Sequence, residues 1–392
     1  MQLRRGDLLL EKSGGGDRQS VGAVVLWDGD ESAVCSNFIA RLRCRSIVDP
    51  FYAALLHSTL YASGVPWRSI KQTTGIQNLD VRAYFDEPVF LPELDEQKLI
   101  VRYVDHAELR INRALQAKLQ LLSLLDEKRR ALVDTIVLRG LDPDARLVDS
   151  GVPWLGEVPA HWDIVPARAL LRLSKKTVGK KSAEYQLLSL TLTGVIVRDL
   201  ERLKGKFPAS FDTYQVVEPG DFVLCLFDVD ETPRAVGLSA HLGMITGAYS
   251  IYKCRDATSR DYLYQLLLSI DNGKKLKPIY RGLRKVVPAE AFASMRLLRP
   301  PAAERARIVS RLDVATSDLD KARAAIRGEV DLLREYRVRL IADVINGKKD
   351  VRGEAEHLPA VHVAERAAAL SGGVQGVIDD DEGAEADADD GY

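Results

Sequence analysis

A helical pattern of about fifty residues occurs twice in this chain, 208 positions apart and in the same register. The first copy runs from about Leu94 to Gly140, the second from about Ala302 to Gly347. Advancing by 208 from Ile100, Val104, Ala107, Ile111, Ala114, Leu122, Leu125, Leu132 and Ile136 reaches Ile308, Leu312, Ala315, Leu319, Ala322, Val330, Leu333, Leu340 and Val344. The steps alternate mostly between four and three, which is the seam of a helix made to pack against another helix. Lys118, Arg129 and Arg337 interrupt the stripe. The two arginines hold matching positions, which fits either a polar layer in the seam or side chains that snorkel from its edge.

An unbroken first helix of about 46 residues spans roughly 69 Å at ~1.5 Å per residue. So long a helix needs a partner to bury its stripe, and the second copy is the obvious one. Pro92 and the acidic turn Asp95-Glu96 introduce the first helix, and Gly140 and Pro143 stop it. Pro300-Pro301 and Asn346-Gly347 bracket the second in the same way.

The remaining sequence divides around these helices. Residues 1–92 form a mixed globular block, 93–140 the first helix, 141–150 a linker, 151–299 a second globular block, 300–347 the second helix and 348–392 an acidic, disordered tail. In the first block, Leu8–Leu10, Ala23–Trp27 and Phe38–Leu42 read as strands, and Pro50–Leu60 as a short helix. The second block echoes the first. Gly6-Asp7 resembles Gly220-Asp221, Cys44-Arg45 resembles Cys254-Arg255, and Pro50-Phe51-Tyr52 has a counterpart at Asp261-Tyr262. Thr74-Gly75-Ile76 likewise parallels Arg281-Gly282-Leu283 just before each helix. The expected fold is α+β, with two globes and two long antiparallel helices related by an internal pseudo-two-fold repeat. About seventy residues of the second block precede its Gly220-Asp221, against five before Gly6-Asp7, so the first globe is expected to lack its N-terminal half.

Composition sets outer limits. No apolar run reaches the ~18 to 20 residues of a membrane helix, and the N-terminus lacks the layout of a signal peptide. Cys35, Cys44, Cys225 and Cys254 are scattered without metal-ligand spacing, which fits free thiols in a reducing cytoplasm. The formal net charge of −1 conceals a division. Residues 353–392 hold eleven acidic residues and one Arg, a balance of −10, so residues 1–352 carry +9. A basic body is compatible with a DNA partner, and the acidic run Asp379–Asp390 reads as a solubilising end rather than a DNA mimic.

No catalytic constellation stands out: there is no phosphate-binding loop, nucleophile elbow or zinc-protease signature. Asp228-Val-Asp-Glu231 lacks the spacing of a calcium loop and reads as a solvated turn. His106, on the first helix, reads as a surface residue, and Lys12-Ser-Gly-Gly-Gly16 as a flexible loop. The DNA-facing candidates are basic and polar clusters. Lys175, Lys176, Lys180 and Lys181 suit phosphates, where they confer salt dependence without sequence choice. Thr74, Gln77 and Asn78 precede the first helix; Tyr280, Arg281, Arg284 and Lys285 precede the second. Each of these two sets flanks a glycine that lets backbone approach a ligand closely. A tight turn leading into a strand explains the same residues equally well.

Four features resemble one known family, the specificity subunits of type I restriction-modification systems. Pro92-Glu-Leu-Asp-Glu-Gln97 is similar to the start of that family's first spacer helix. Gly151-Val-Pro-Trp-Leu-Gly-Glu-Val-Pro-Ala-His-Trp162 resembles the opening of a target-recognition domain, with Trp154 and Trp162 as packing anchors. Asp331–Ile341 followed by Gly347-Lys-Lys-Asp-Val-Arg352 is similar to the end of the second spacer, and the doubled layout is the fourth feature. The resemblance implies two target-recognition domains, each reading one half of an interrupted double-stranded DNA site, on an antiparallel coiled coil. It implies half-sites within roughly two DNA turns, at ~34 to 36 Å per turn. It also implies a non-catalytic chain whose partners are two methyltransferase subunits and two motor-nuclease subunits. S-adenosylmethionine, ATP and Mg belong to those partners, and no cofactor is expected in this chain. The N-terminus departs from the pattern, since nothing ahead of Gly6 resembles residues 154–159. Two alternatives stand beside this reading: a coiled-coil adaptor that binds protein, and a shortened specificity subunit that reads one half-site.

Overall fold

A helix with an apolar stripe is stable only where that stripe is covered, and the two long helices cover each other. The computed structural model describes residues 2–15, 19–72, 76–198 and 210–361. In chain order the first elements are β1 (Leu8–Glu11), β2 (Ser13–Gly14), β3 (Val24–Leu26), β4 (Ile39–Leu42), α1 (Pro50–Ala62), β5 (Ile70–Gln72), β6 (Gln77–Leu79), α2 (Val81–Phe85) and the long helix α3 (Leu94–Arg139). There follow β7 (Leu147–Asp149), β8 (Glu157–Pro159), β9 (Asp163–Pro166), α4 (Ala167–Leu170), β10 (Leu171–Ser174), β11 (Gln186–Thr191), β12 (Gly194–Val197), β13 (Gln215–Val217) and β14 (Phe222–Leu224). The last are β15 (Val236–Leu238), β16 (Gly243–Ile245), β17 (Ser250–Cys254), α5 (Arg260–Asn272), α6 (Ala289–Ser294), β18 (Arg296–Arg299), the long helix α7 (Ala302–Ile345) and α8 (Arg352–Glu356). The fold is α+β.

The described residues divide into two units: those within 1–120 together with 325–361, and those within 121–324. Each unit contains one stretch of α3 and one of α7. In the first unit Ile100, Val101, Val104 and Ile111 of α3 share a core with Leu340, Val344 and Ile345 of α7. Arg337 bonds Glu108 at 2.7 Å, and Lys118 pairs with Glu329. In the second unit Val133, Ile136 and Val137 meet Ile308 and Leu312, with Arg129 on Asp320 at 2.9 Å and Arg323 on Asp126 at 2.6 Å. Partner numbers fall along α7 as they rise along α3, so the helices run antiparallel in both units. Arg129 and Arg337 therefore work across the seam, as half-buried cations each answered by a carboxylate on the facing helix. Such pairs contribute only ~0–1 kcal/mol each; their effect is to fix register.

The helix ends have specific causes. Gly140 and Gly347 adopt φ of 79° and 71°, the left-handed region that ends a helix cheaply only with glycine. At the start of α3, Gln97 is fully buried. Its amide donates to the carbonyls of Pro92 and Ile47 at 2.8 and 3.0 Å and accepts from the N–H of Asp49 at 2.8 Å. Asp49 in turn caps α1 through Phe51 and Tyr52. The Glu-Gln motif is thus a clamp between the long helix and the globe before it.

The echoes between globes are echoes of structure. β1 lies between β3 and β4, with Leu8 opposite Leu26 and Leu42. β14 lies between β15 and β17, with Phe222 opposite Leu238 and Tyr252. Gly6 and Gly220 open these strands at φ of 86° and 89°. The carboxylates of Asp7 and Asp221 then accept the N–H groups of Arg4 and Glu218. Arg43 reaches Asp7 at 2.8 Å, and Lys253 reaches Asp221 at 3.3 Å. Each sheet is followed by a helix of 13 residues, α1 or α5, whose tyrosine, Tyr52 or Tyr262, is buried against the long helices. The second globe adds a sheet in the order β12-β11-β16-β13, and β18 pairs with β9.

One boundary differs from expectation. The tail expected to be disordered from residue 348 is structured as far as Val361. Val351 and Ala355 are buried, Lys349 donates to the Tyr103 hydroxyl at 2.6 Å, and His106 bonds the carbonyl of Pro359 at 2.8 Å. Composition misled because residues 348–361, which carry apolar and basic side chains, were averaged with the acidic run beyond. That run lies outside the described residues.

Two outcomes follow from this packing. Ile308→Ala, in a fully buried seam position, should lower the unfolding free energy by ~2–5 kcal/mol in a denaturant titration, whereas the exposed Val314→Ala should stay within ~0.5 kcal/mol. The pH response of the two turn aspartates should be opposite. Arg43 holds the Asp7 carboxyl below the usual carboxylate range, whereas burial outweighs Lys253 and pushes Asp221 up. A depressed folded pKa supplies stability that is present above ~3.9, the unfolded value, and is lost as pH falls through the folded one. Asp7→Asn should therefore destabilise at pH 7 and converge with the wild type in acid below pH ~3.9. For Asp221 the stabilisation is complete below ~3.9 and fades as pH rises, so Asp221→Asn should cost least at neutral pH. Thermal melts from pH 2.5 to 7 check both.

Candidate nucleic-acid interface

Both candidate segments ahead of the long helices lie on antiparallel pairings. In the first globe β5 and β6 pair with Lys71 opposite Asn78 and Gln72 opposite Gln77. In the second, Arg281 and Val286 exchange backbone hydrogen bonds at 2.8 and 3.0 Å around Gly282, which has φ of 72°. The second segment is thus a tight turn.

The side chains sort by what they touch. Gln77 is buried, and its amide oxygen accepts the N–H of Val21 at 3.2 Å, so it supports the hairpin from within. Asn78 is exposed and accepts the hydroxyl of Ser13 at 2.7 Å. Thr74 lies outside the described residues. At the second hairpin Arg281 is exposed, Leu283 at the tip is fully exposed, and Tyr280 packs partly against the core. Arg284 stands 5.7 Å from the ring centroid of Phe227 and 3.6 Å from Asp228. Lys285, in the left-handed region at φ of 43°, bonds Glu231 at 2.8 Å and lies 3.7 Å from Asp230. Its ammonium is held above the usual lysine range by the hydrogen bond it donates to Glu231.

Asp228–Glu231 is a turn, as read, but it faces more than solvent. The stretch is the acidic seat of the basic hairpin, and Asp228 N–H donates to the Arg284 carbonyl at 2.8 Å. Sequence could not show it, because some fifty residues separate seat and hairpin. Among the described residues no group of three or more His, Cys, Asp and Glu side chains could hold a metal.

The lysine cluster has its own seat. Lys176 bonds Glu218 at 3.0 Å, and Lys253 bonds the other oxygen of Glu218 at 2.7 Å, which holds that carboxyl below its usual range. Lys181 lies 4.0 Å from Glu184. Lys175 and Lys180 are exposed and make no ion pair among the described residues. The second hairpin is thus tied to Asp228–Glu231, and of the four candidate lysines Lys176 is tied to Glu218.

A third basic group was not visible in the sequence. Arg168, Arg172 and Arg255 line a shallow cavity of about 370 Å³ whose floor includes Leu171, Tyr252 and Phe292. They are brought together by the β10–β17 pairing, in which Leu171 faces Cys254, and only that register could have revealed them.

The sequence matches no family model and no curated protein. A solved chain from a type I R-M system, described for complex assembly and conformational transition, shares 14% identity over 89% of this chain and 83% of that one, at a TM-score of 0.64. The HsdS subunit from Thermoanaerobacter tengcongensis matches at 16% identity, 90% and 82% coverage and a TM-score of 0.43. The S subunit of the type I restriction-modification system from M. genitalium matches at 11% identity, 87% and 83% coverage and a TM-score of 0.33. The last two superpose too loosely to bear weight. The first places this chain in the fold of a type I restriction-modification component, in line with the resemblance read from the sequence.

Proposed function

We propose that the chain is the sequence-specific DNA-recognition subunit of a type I restriction-modification complex. The observation that carries this reading is the doubled strand-and-helix core mounted on two antiparallel helices, in a fold shared with such a system. Each globe presents a hairpin just before a long helix, the arrangement needed to offer one half of an interrupted site to each. The helices supply faces on which methyltransferase subunits dock, with motor-nuclease subunits recruited in turn. S-adenosylmethionine, ATP and Mg then reside on those partners. The chain itself does no chemistry; it selects the site.

Within the second hairpin the seat on Asp228–Glu231 separates the roles. Lys285 is partly buried on Glu231 and holds the loop, while Arg281 is exposed and suited to reach a base edge or phosphate. Lys175 and Lys180 add phosphate contacts.

The test uses the chain purified with its methyltransferase partners and duplex fragments of the host genome. Retention should be sequence-selective and should weaken steeply with salt. Arg281→Ala should weaken one half-site by ~1–3 kcal/mol, roughly five- to 160-fold, if it reads a base. If it binds phosphate instead, the variant should lower the salt slope by about one. Equal retention of every duplex regardless of sequence would sink the proposal and favour a protein-binding adaptor.

A further inference from the structure

The second hairpin is pinned on one side and bare on the other. Inside the Arg281–Val286 pair, the Lys285 N–H donates to the Gly282 carbonyl at 3.1 Å. Leu283 and Arg284 are therefore the two corner residues of the turn. The Arg284 corner is held. Its carbonyl accepts the Asp228 N–H at 2.8 Å, and its guanidinium lies over the Phe227 ring and 3.6 Å from the Asp228 carboxylate. Lys285 is fixed on Glu231, and the Val287 N–H donates to the Leu226 carbonyl at 2.7 Å. The Leu283 corner stands free: the residue is 101% exposed, with exposed Arg281 and Arg284 beside it.

A single exposed leucine is ordinary on a protein surface. This one is presented at the tip of a braced turn between cations, and the first globe repeats it in outline. Ile76 matches Leu283 in the echo of Arg281-Gly282-Leu283 at Thr74-Gly75-Ile76. It stands immediately before β6 and is 53% exposed; Thr74 and Gly75 lie outside the described residues. An aliphatic side chain offered beside basic groups is the means by which proteins pry apart a base step and kink a duplex.

We infer that Leu283 is an apolar wedge that enters between two stacked base pairs of the half-site met by the second globe, with Ile76 its counterpart in the first. Arg281 supplies positive charge beside the insertion, and the acidic seat keeps the turn from folding back as the leucine meets the stack. Exchange of water for base faces around the leucine offsets part of the cost of unstacking. Pyrimidine–purine steps unstack most easily, so the wedge adds sequence choice without a hydrogen bond to any base. This inference rests on the DNA-reading role and deepens it.

The test uses the chain with its methyltransferase partners, saturating a duplex that it retains selectively, in the absence of S-adenosylmethionine. Stacking is probed with permanganate for thymines and diethyl pyrocarbonate for purines. One step in each half-site should become reactive. Leu283→Ala, where truncation removes no packing, should silence one step and spare the other, and Leu283→Phe should keep both. Ile76→Ala should silence the second step instead; its survival there overturns Ile76 as the counterpart. Reactivity unchanged by Leu283→Ala, or no reactive step in a selectively retained duplex, overturns the wedge and leaves the DNA-reading role standing. Loss of the methyltransferase partners in Leu283→Ala overturns it in favour of a protein contact. Failure to retain any duplex selectively removes the role itself, and the wedge with it.

Discussion

Everything in the molecule is referred to the mutual burial of two apolar stripes. Neither α3 nor α7 could stand alone at its length, because backbone hydrogen bonding does not offset the exposure of a continuous row of Val, Ile and Leu. Once paired, the helices give each globe a floor. Tyr52 and Tyr262 are buried against it, and the Tyr262 hydroxyl donates to the carbonyl of Val137 near the end of α3 at 3.0 Å. The globes are built onto the helix pair.

That dependence explains why so much of the architecture was legible in one sequence. A stripe repeated at a fixed offset, with glycine and proline at matching ends, is a strong periodic signal, and α3 and α7 begin 208 residues apart as it predicts. The Gly-Asp turns were legible for a different reason. A positive φ calls for glycine, and an N–H turned inward calls for a short carboxylate, so a two-residue echo reports a conserved local geometry within one chain.

What stayed hidden depends on register between distant segments. The Asp228–Glu231 seat meets Lys285 only after the second globe has folded, and the arginines at 168, 172 and 255 converge only through β10 and β17. Gln77 looked like a ligand contact because its type suits one, and burial decided otherwise. The turn aspartates teach the same lesson. In equivalent turns, a two-toothed guanidinium stabilises charge on Asp7, while a single ammonium shared with Glu218 does not outweigh burial of Asp221. Sequence identity at a position does not fix its ionisation.

The inter-helix ion pairs described above have a consequence for how a duplicated helix keeps from choosing its own copy. If a second α3 replaced α7 at the same offset, Lys118 would face Leu121 and Asp126 would face Leu115, leaving both charges unanswered. If a second α7 replaced α3, Arg323 would face Arg334. Glu108 would still meet Arg129 in a paired α3, so the bias toward the unlike helix rests on Lys118–Glu329 and Arg323–Asp126.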